Sequence, residues 1–481
     1  MDPLDIVSKG IRKITSSYGK KIQKIKTAPA IGRNAPVEIK GDTYRLGFAR
    51  EEIMPDLTKG KTYYIAGHGS GHVMDGVLTP VYVHAVWLDC GGDEGILWIS
   101  ADIVGLTGIE VKKIRDRVFA SGVIKGCKAV NFTSTHSHSG IDTVGYWGKP
   151  FLSIPADGKD PEYMEMLFAN SVKVCEEAYR NRKEGKLYRA LQPIPDGLFS
   201  KRKFPDKHEV LTRLRFAPAD GSSETWIVNV GAHPNSLGGA NRKLSGEYPY
   251  FLREGVKEKC GADVFFGCGA LGGMDAAKLD DDPFNCVKLQ GKLYADAACA
   301  IESDEELEPN IKFLQRKFYL PVCNNVLTLL AIKGTMSFEA FPCKESDTGI
   351  AMKSELTYMT FGKQKLAFLP GENFVYTVYG GYLTAETSAT GKGGEVNPTP
   401  LAEIAGDPTM VVFSNTNDMT GYVVAPNDWV LNPGQPYLNG TRDRFNENHY
   451  HETNSMGPDT QKTIADAFRA VVEDFNAARQ A

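Results

Sequence analysis

Residues 95–140 read GILWISADIVGLTGIEVKKIRDRVFASGVIKGCKAVNFTSTHSHSG. The stretch leaves a turn at Gly91-Gly92-Asp93-Glu94-Gly95 and enters an apolar run over 96–101. A second apolar run covers 129–132. Between them Ile109, Val111, Ile114, Val118 and Phe119 recur at helical spacing. Strand, helix and strand at this separation predict a βαβ unit with parallel pairing. The unit runs out into Thr133-Ser134-Thr135-His136-Ser137-His138-Ser139-Gly140. That is where an α/β sheet gathers its ligands, just past the carboxyl end of a strand.

The arrangement recurs along the chain. Further strands are expected over 81–88, 226–230, 264–266, 366–369 and 410–413. After 226–230 comes Gly231-Ala232-His233-Pro234-Asn235, and after 366–369 comes Pro370-Gly371-Glu372-Asn373. After 410–413 comes Ser414-Asn415-Thr416-Asn417-Asp418, then Tyr422. Parallel, adjacent strands would bring these loops to one crevice. Asp160-Pro161 predicts a helix start, with a capping acid and a first-turn proline ahead of Met164, Leu167, Phe168 and Val172. A last helix is expected over 460–478, with Ile464, Phe468, Val471, Val472 and Phe475 on one face. The fold class expected is α/β, with mixed, largely parallel sheets and flanking helices.

Composition sets the outer bounds. The 481 residues are 42% hydrophobic and 24% charged, a soluble globular balance that excludes intrinsic disorder. Fifty-five basic against 59 acidic residues argue against a nucleic-acid binder, which needs a basic surplus. No apolar run reaches the ~18 residues that cross a bilayer. No signal-peptide core opens the chain. Nine cysteines without a Cys-x-x-Cys pair favour a reducing compartment, so the chain reads as cytoplasmic. Residues 1–40 differ from the rest: nine Lys/Arg against three Asp/Glu leave them at +6. Leu4, Val7, Ile11 and Ile14 lie there at helical spacing. The division read is a basic amphipathic arm over 1–40 and one large catalytic domain over 41–481. The arm is expected to cap the domain or pack a second subunit into a homo-oligomer; membrane contact ranks well below either.

Imidazole and carboxylate ligands suit zinc, and an open coordination position would hold water. His136 and His138 lie two apart, a spacing that by itself decides nothing. Gly267-Cys268-Gly269-Ala270-Leu271-Gly272 matches a dinucleotide fingerprint, but Met274 to Lys278 is too short for the helix it requires. Three acids and a proline follow at 280–283, so a tight glycine loop beside the crevice is expected instead. No Gly-x-Ser-x-Gly elbow supports a serine hydrolase. Ala66-Gly67-His68-Gly69-Ser70-Gly71-His72 can bring backbone close to a ligand. His449-Tyr450-His451-Glu452 is expected to line the crevice.

The constellation resembles the N-terminal catalytic domain of the neutral, non-lysosomal ceramidases, in order from about residue 45 to 470. Thr135-His136-Ser137-His138-Ser139-Gly140 is similar to the family's Thr-His-Thr-His-Ser-Gly. Ser100-Ala101-Asp102, His233-Pro234, Leu369-Pro370-Gly371-Glu372 and Asn417-Asp418 through Tyr422-Val423 resemble further family segments. The resemblance implies a Zn2+ site of His136, His233, Glu372 and Tyr422. It also implies that His138 sits beside the metal, with His68, Asp102, Gly272 and Gly273 toward the substrate. Gly269-Ala270-Leu271-Gly272-Gly273 lacks the family's serine and aspartate, and Ser200-Lys201-Arg202-Lys203 only loosely echoes its Arg-Ser substrate segment. The chain also stops without the family's C-terminal immunoglobulin-like domain.

The function this implies is zinc-dependent hydrolysis of an amide (N-acyl) bond in a small acylated substrate other than ceramide. His138 would transfer a proton, and Tyr422 would serve as ligand or donor. Hydrolysis of an ester, lactone or other small polar substrate is the alternative at the same metal. A non-catalytic binding or assembly protein on the same fold is the alternative from another class.

Overall fold

The computed structural model describes residues 2–204 and 206–477. Two sheets form its frame. The larger runs, in spatial order, Asp263–Cys268, Thr225–Val230, Val210–Pro218, Lys183–Pro193, Tyr44–Glu52, Tyr82–Asp89, Gly95–Ala101 and Cys127–Ser134. Glu305–Leu307 pairs beside Lys183–Pro193. The smaller runs Val37–Lys40, Asn310–Val322, Ile350–Phe361, Gln364–Phe368 and Val411–Phe413, with Ala340–Pro342 on Ile350–Phe361.

The mixed α/β class stands, but the expected dominance of parallel pairing is corrected. Within these two sheets three pairings are parallel: Gly95–Ala101 with Cys127–Ser134, Thr225–Val230 with Asp263–Cys268, and Gln364–Phe368 with Val411–Phe413. The other pairings are antiparallel. Connection length is the reason. Tyr82–Asp89 and Gly95–Ala101 are joined by the short glycine turn, which can only reverse the chain. Each parallel pair instead spans a crossover carrying helix: Gly108–Ala120, Glu247–Cys260, or the short Val375–Tyr379 and Leu401–Ala405.

The large sheet curls until its two edge strands approach. Ser100 Oγ donates to Phe266 O at 2.6 Å, linking the strand next to one edge with the strand at the other. Trp98 is the hub: its ring meets Phe265 at 4.8 Å, Phe368 at 4.8 Å and Phe413 at 4.4 Å. Rings from two parallel pairs therefore pack on the indole of the third, and contacts of this kind add to the burial of their area. Gly267 permits the approach, since a Cβ there would press on Phe413. At the strand ends Asn417 N donates to Phe132 O at 2.7 Å and Ser414 N to Cys268 O at 3.0 Å. Asn415 and Asn417 hold positive φ, a conformation asparagine tolerates better than most side chains.

Helices close the outer faces. Pro161–Arg180 begins as its sequence dictates, with Asp160 accepting from Glu162 N and Tyr163 N. Val111, Ile114 and Val118 of Gly108–Ala120 are buried, whereas Phe119 faces solvent. The last helix is Thr460–Ala477; position 478 of the expected range lies outside the described residues. Cys260 and Cys299, at the ends of two packed helices, form a disulfide. That pair departs from the reduced thiols favoured by the sequence reading.

The arm is a helix, Pro3–Ile25, followed by the strand Val37–Lys40, which pairs antiparallel with 310–313. The helix buries Ser8, Ile11, Thr15, Gly19 and Ile22 against its own chain, and Thr15 Oγ1 donates to Asn325 Oδ1 at 2.7 Å. Ile14, placed on the apolar stripe by its spacing, is exposed. Small residues at 15 and 19 let the backbones come close, so the buried face turns away from Ile14 toward them. Among the described residues no helix is long and apolar enough to cross a membrane.

Candidate metal centre

The three parallel crossovers decide the geometry of the centre. The loop after Cys127–Ser134 carries His136 and His138, the loop after Thr225–Val230 carries His233, and the loop after Gln364–Phe368 carries Glu372. Their imidazole rings lie 4.8 Å (136 to 138), 5.1 Å (136 to 233) and 5.3 Å (138 to 233) apart. Glu372 Oε2 is 3.4 Å from His136 Nε2 and 3.1 Å from His233 Nε2. Tyr422 stands beside Glu372 in a short parallel bridge, its ring 6.3 Å from that of His233. All five side chains are buried.

Backbone carbonyls orient two of the imidazoles. His136 Nδ1 donates to Val104 O at 2.7 Å and His233 Nδ1 to Met274 O at 3.0 Å. A carbonyl only accepts, so each Nδ1 carries the proton and each Nε2 turns a lone pair inward. Those lone pairs face a carboxylate, an arrangement of acceptors that calls for a cation between them. Imidazoles anchored this way are the usual form of histidine metal ligands. His136, His138 and His233 together present nitrogen atoms within 4.8 Å of one another. His138 differs from the other two. Its Nε2 lies 3.1 Å from His136 Nε2, and its buried Nδ1 has no partner among the described residues. The donors able to hold a divalent cation of borderline softness are His136, His138 and His233, with the Glu372 carboxylate against two of them and Tyr422 beside it.

Burial alone would raise the Glu372 carboxyl, but positive charge at His136 and His233 outweighs it and holds it well below the usual carboxylate range, so the carboxylate stays ionised where positive charge gathers beside it. Burial, reinforced by the Glu372 charge, pushes the Tyr422 phenol well up. Burial and then His136 push His138 well down, so it rests neutral. His136 itself sits at φ +62°, in the left-handed region that histidine enters more readily than most non-glycine residues. Gly67, at φ +101°, passes so close to His138 that a Cβ would collide with the ring.

A cavity of about 440 Å³ opens on the cluster, a size suited to a small organic ligand. His68 lines it, its ring 4.9 Å from His138 and its pKa lowered to about 4 by burial and then by Lys201. Gly272 and Gly273 stand behind the wall. Gly272 N donates to Asn373 O at 2.9 Å, and a Cβ on either glycine would strike the Phe374 ring, so they buttress the Glu372 segment. Asp102 is not at the cavity. It is fully buried, bonded by Arg253 Nη1 at 3.0 Å and Nη2 at 2.5 Å and by Tyr82 N at 3.0 Å. His449 is tied to Arg202, Asp443 and Glu452 in a buried network, while Tyr450 lines the cavity.

Two residues that shape the site carried no sequence signal strong enough to single them out. Asp142 accepts from the backbone N–H groups of Val144, Gly145, Tyr146, Trp147 and Gly158 at 2.8–3.1 Å, which folds the 142–158 loop into the cavity wall. Lys201 reaches the cavity from the other side. Asp142 could have been suspected as an Asx turn ahead of Gly145; Lys201 lay in the Ser200–Lys203 segment, which only loosely echoes the family's substrate segment.

No protein-family model matches the chain, and no curated protein does. Solved structures do. The chain superposes on neutral ceramidase from Pseudomonas aeruginosa with a TM-score of 0.66 at 16% identity, covering 92% of this chain and 75% of that one. A ceramidase complexed with C2 gives a TM-score of 0.66 at 15% identity, covering 92% and 76%. The fold of this chain is that of the neutral ceramidases, as the segments around Thr135–Gly140 and Leu369–Glu372 implied.

Proposed function

We propose that the protein is a metal-dependent hydrolase that cleaves an amide (N-acyl) bond, with zinc as its metal and a substrate smaller than ceramide. One observation carries the reading: two buried imidazoles, anchored through Nδ1 on backbone carbonyls, turn Nε2 toward a single carboxylate oxygen at 3.4 and 3.1 Å. A cavity with an apolar wall opens on that point. The shared fold with ceramidases, which are amide hydrolases, supports the reaction class.

Zinc in such a site supplies a Lewis acid and lowers the pKa of a bound water to about 7. The chain supplies the rest. His136, His233 and Glu372 would hold the cation, and all three are buried. His138, neutral and unanchored at Nδ1, accepts a proton from the attacking water and passes it to the departing amine. The Tyr422 hydroxyl donates to the carbonyl oxygen as negative charge gathers there. The 142–158 wall and His68 confine the substrate to one approach.

The test is elemental analysis of the purified chain, followed by a panel of N-acyl amines and matched esters. About one equivalent of zinc with amide turnover is expected. Turnover of esters alone would reject the amide assignment, and a metal-free, inactive chain would reject the hydrolase.

A further inference from the structure

The cavity lining has an apolar part and a polar part, and both reach the histidine cluster. In the apolar part His136 bonds to Val104, whose side chain joins Val144, Trp147, Leu327, Met336 and Met419 in a wall continuous with the buried core. In the polar part His138 packs on His68, and Lys201 and Tyr450 complete the lining. The strand Leu198–Ser200, paired antiparallel with Met274–Ala276, delivers Lys201 to this part, and Lys201 N bonds Gly273 O at 3.1 Å.

Lys201 is a partly exposed cation in the cavity wall. Its Nζ has Asp275 Oδ1 at 2.9 Å and the Tyr450 hydroxyl at 3.1 Å. An ammonium has three N–H donors, so these two partners leave one over. Asp275 is shared as well, since Asn235 Nδ2 donates to the same Oδ1 at 2.7 Å. The buried His68 Nε2, in this lining, has no partner among the described residues. A buried polar nitrogen left unpaired is costly. A substrate anion beside Lys201 and His68 would engage both.

The geometry points to a substrate carboxylate bound by Lys201 Nζ with His68, so that the amide hydrolysed is that of an N-acyl amino acid. This rests on the amide-hydrolase reading and narrows it. The acyl chain lies along the apolar wall, the scissile carbonyl meets the metal cluster, and the amino-acid carboxylate reaches Lys201. Water adds to the carbonyl carbon, the C–N bond breaks and the nitrogen leaves protonated: R–CO–NH–CHR′–COO⁻ + H₂O gives R–COO⁻ and ⁺H₃N–CHR′–COO⁻.

Two probes of equal chain length decide it, N-octanoylglycine and the uncharged N-octanoylethanolamine. With the zinc-loaded full chain, kcat/KM is expected to favour the glycine conjugate by roughly 10- to 100-fold, the worth of a buried hydrogen bond to a charge. Lys201→Met should remove that preference mainly through KM, and Lys201→Arg should keep most of it. Calorimetry on chelator-treated protein supplies a readout without turnover: N-octanoylglycine should bind the wild type at least about tenfold more tightly than Lys201→Met. Equal or better turnover of the ethanolamide by the wild type overturns the inference and leaves the amide hydrolase intact, as does a preference that survives in Lys201→Met. If neither amide is turned over, the underlying reading fails instead, and the calorimetry still decides whether Lys201 holds a carboxylate.

Discussion

His233 Nε2 lies 3.1 Å from Glu372 Oε2 across 139 residues of chain. Each side chain follows the first strand of a parallel pair, and the two pairs belong to different sheets. The contact exists because Phe265 and Phe368 pack on one ring, Trp98, which brings the two sheets together below the site.

His136→Ala, His233→Ala and Glu372→Ala should each lose stoichiometric metal while keeping the far-ultraviolet dichroism of the wild type. Their turnover should fall by at least about 10²-fold, since each removes a metal ligand. Elemental analysis of the three purified variants checks this, and full metal occupancy in all three would refute the ligand set.

His138→Gln should separate the two roles. The variant should keep its metal, because the anchored ligands at 136 and 233 remain. Amide turnover should drop by roughly 10²- to 10⁴-fold, the usual worth of a proton-transfer group. Metal loss equal to that in His136→Ala would place His138 among the ligands instead.

Gly67→Ala tests the close approach to His138. The added methyl meets the imidazole, and φ +101° is hostile to any side chain. A loss of about 1–3 kcal/mol is expected, together with weakened turnover. Thermal melts read the first and kinetics the second. An unchanged Tm would show that the backbone relaxes freely there.

Asp102→Asn and Arg253→Ala should act on stability and not on substrate affinity. Arg253 and Asp102 pair in full burial behind the sheet. Removing one partner of such a pair costs about 3–5 kcal/mol, because the other charge is left alone. Denaturant unfolding measures it. A raised KM with unchanged stability would restore Asp102 to the substrate.

Glu247 gives the chain a pH dependence. Burial raises its carboxyl from the ordinary 4.5 to about 8, although Ser139 Oγ donates to it at 2.7 Å. The folded chain therefore holds a proton that the unfolded chain releases. That contribution is complete below pH 4.5, declines as pH rises, and is gone above pH 8. Glu247→Gln should flatten this fall, gaining on the wild type between pH 5 and pH 8. Parallel unfolding curves for the two proteins across that range would count against it.

The local elements were legible because local causes make them. Alternating and helical apolar spacing marked the strands and helices around Trp98 and Ile114, and Asp160-Pro161 announced its own helix. The order of strands was not legible. Pairing direction depends on whether a connection turns back at once or crosses over, and the antiparallel majority emerged only when the connections closed in space. Lys201 was hidden for a related reason. Ser200-Lys201-Arg202-Lys203 only loosely echoes a family segment, and it takes Asp275 and Tyr450, distant in sequence, to hold its lysine in the cavity wall.

The sequence by itself determined the residue types able to hold a cation and the loops that carry them. It also placed those loops at strand ends, since strand ends are set by neighbours a few residues away. Only the tertiary structure decided that His136, His138, His233 and Glu372 come together with Tyr422 beside them, and that Asp102 lies away from the cavity. Meeting across hundreds of residues is a property of packing: curled sheets, ring contacts and carbonyl anchors fix where an imidazole points, and none of these is written in spacing along the chain.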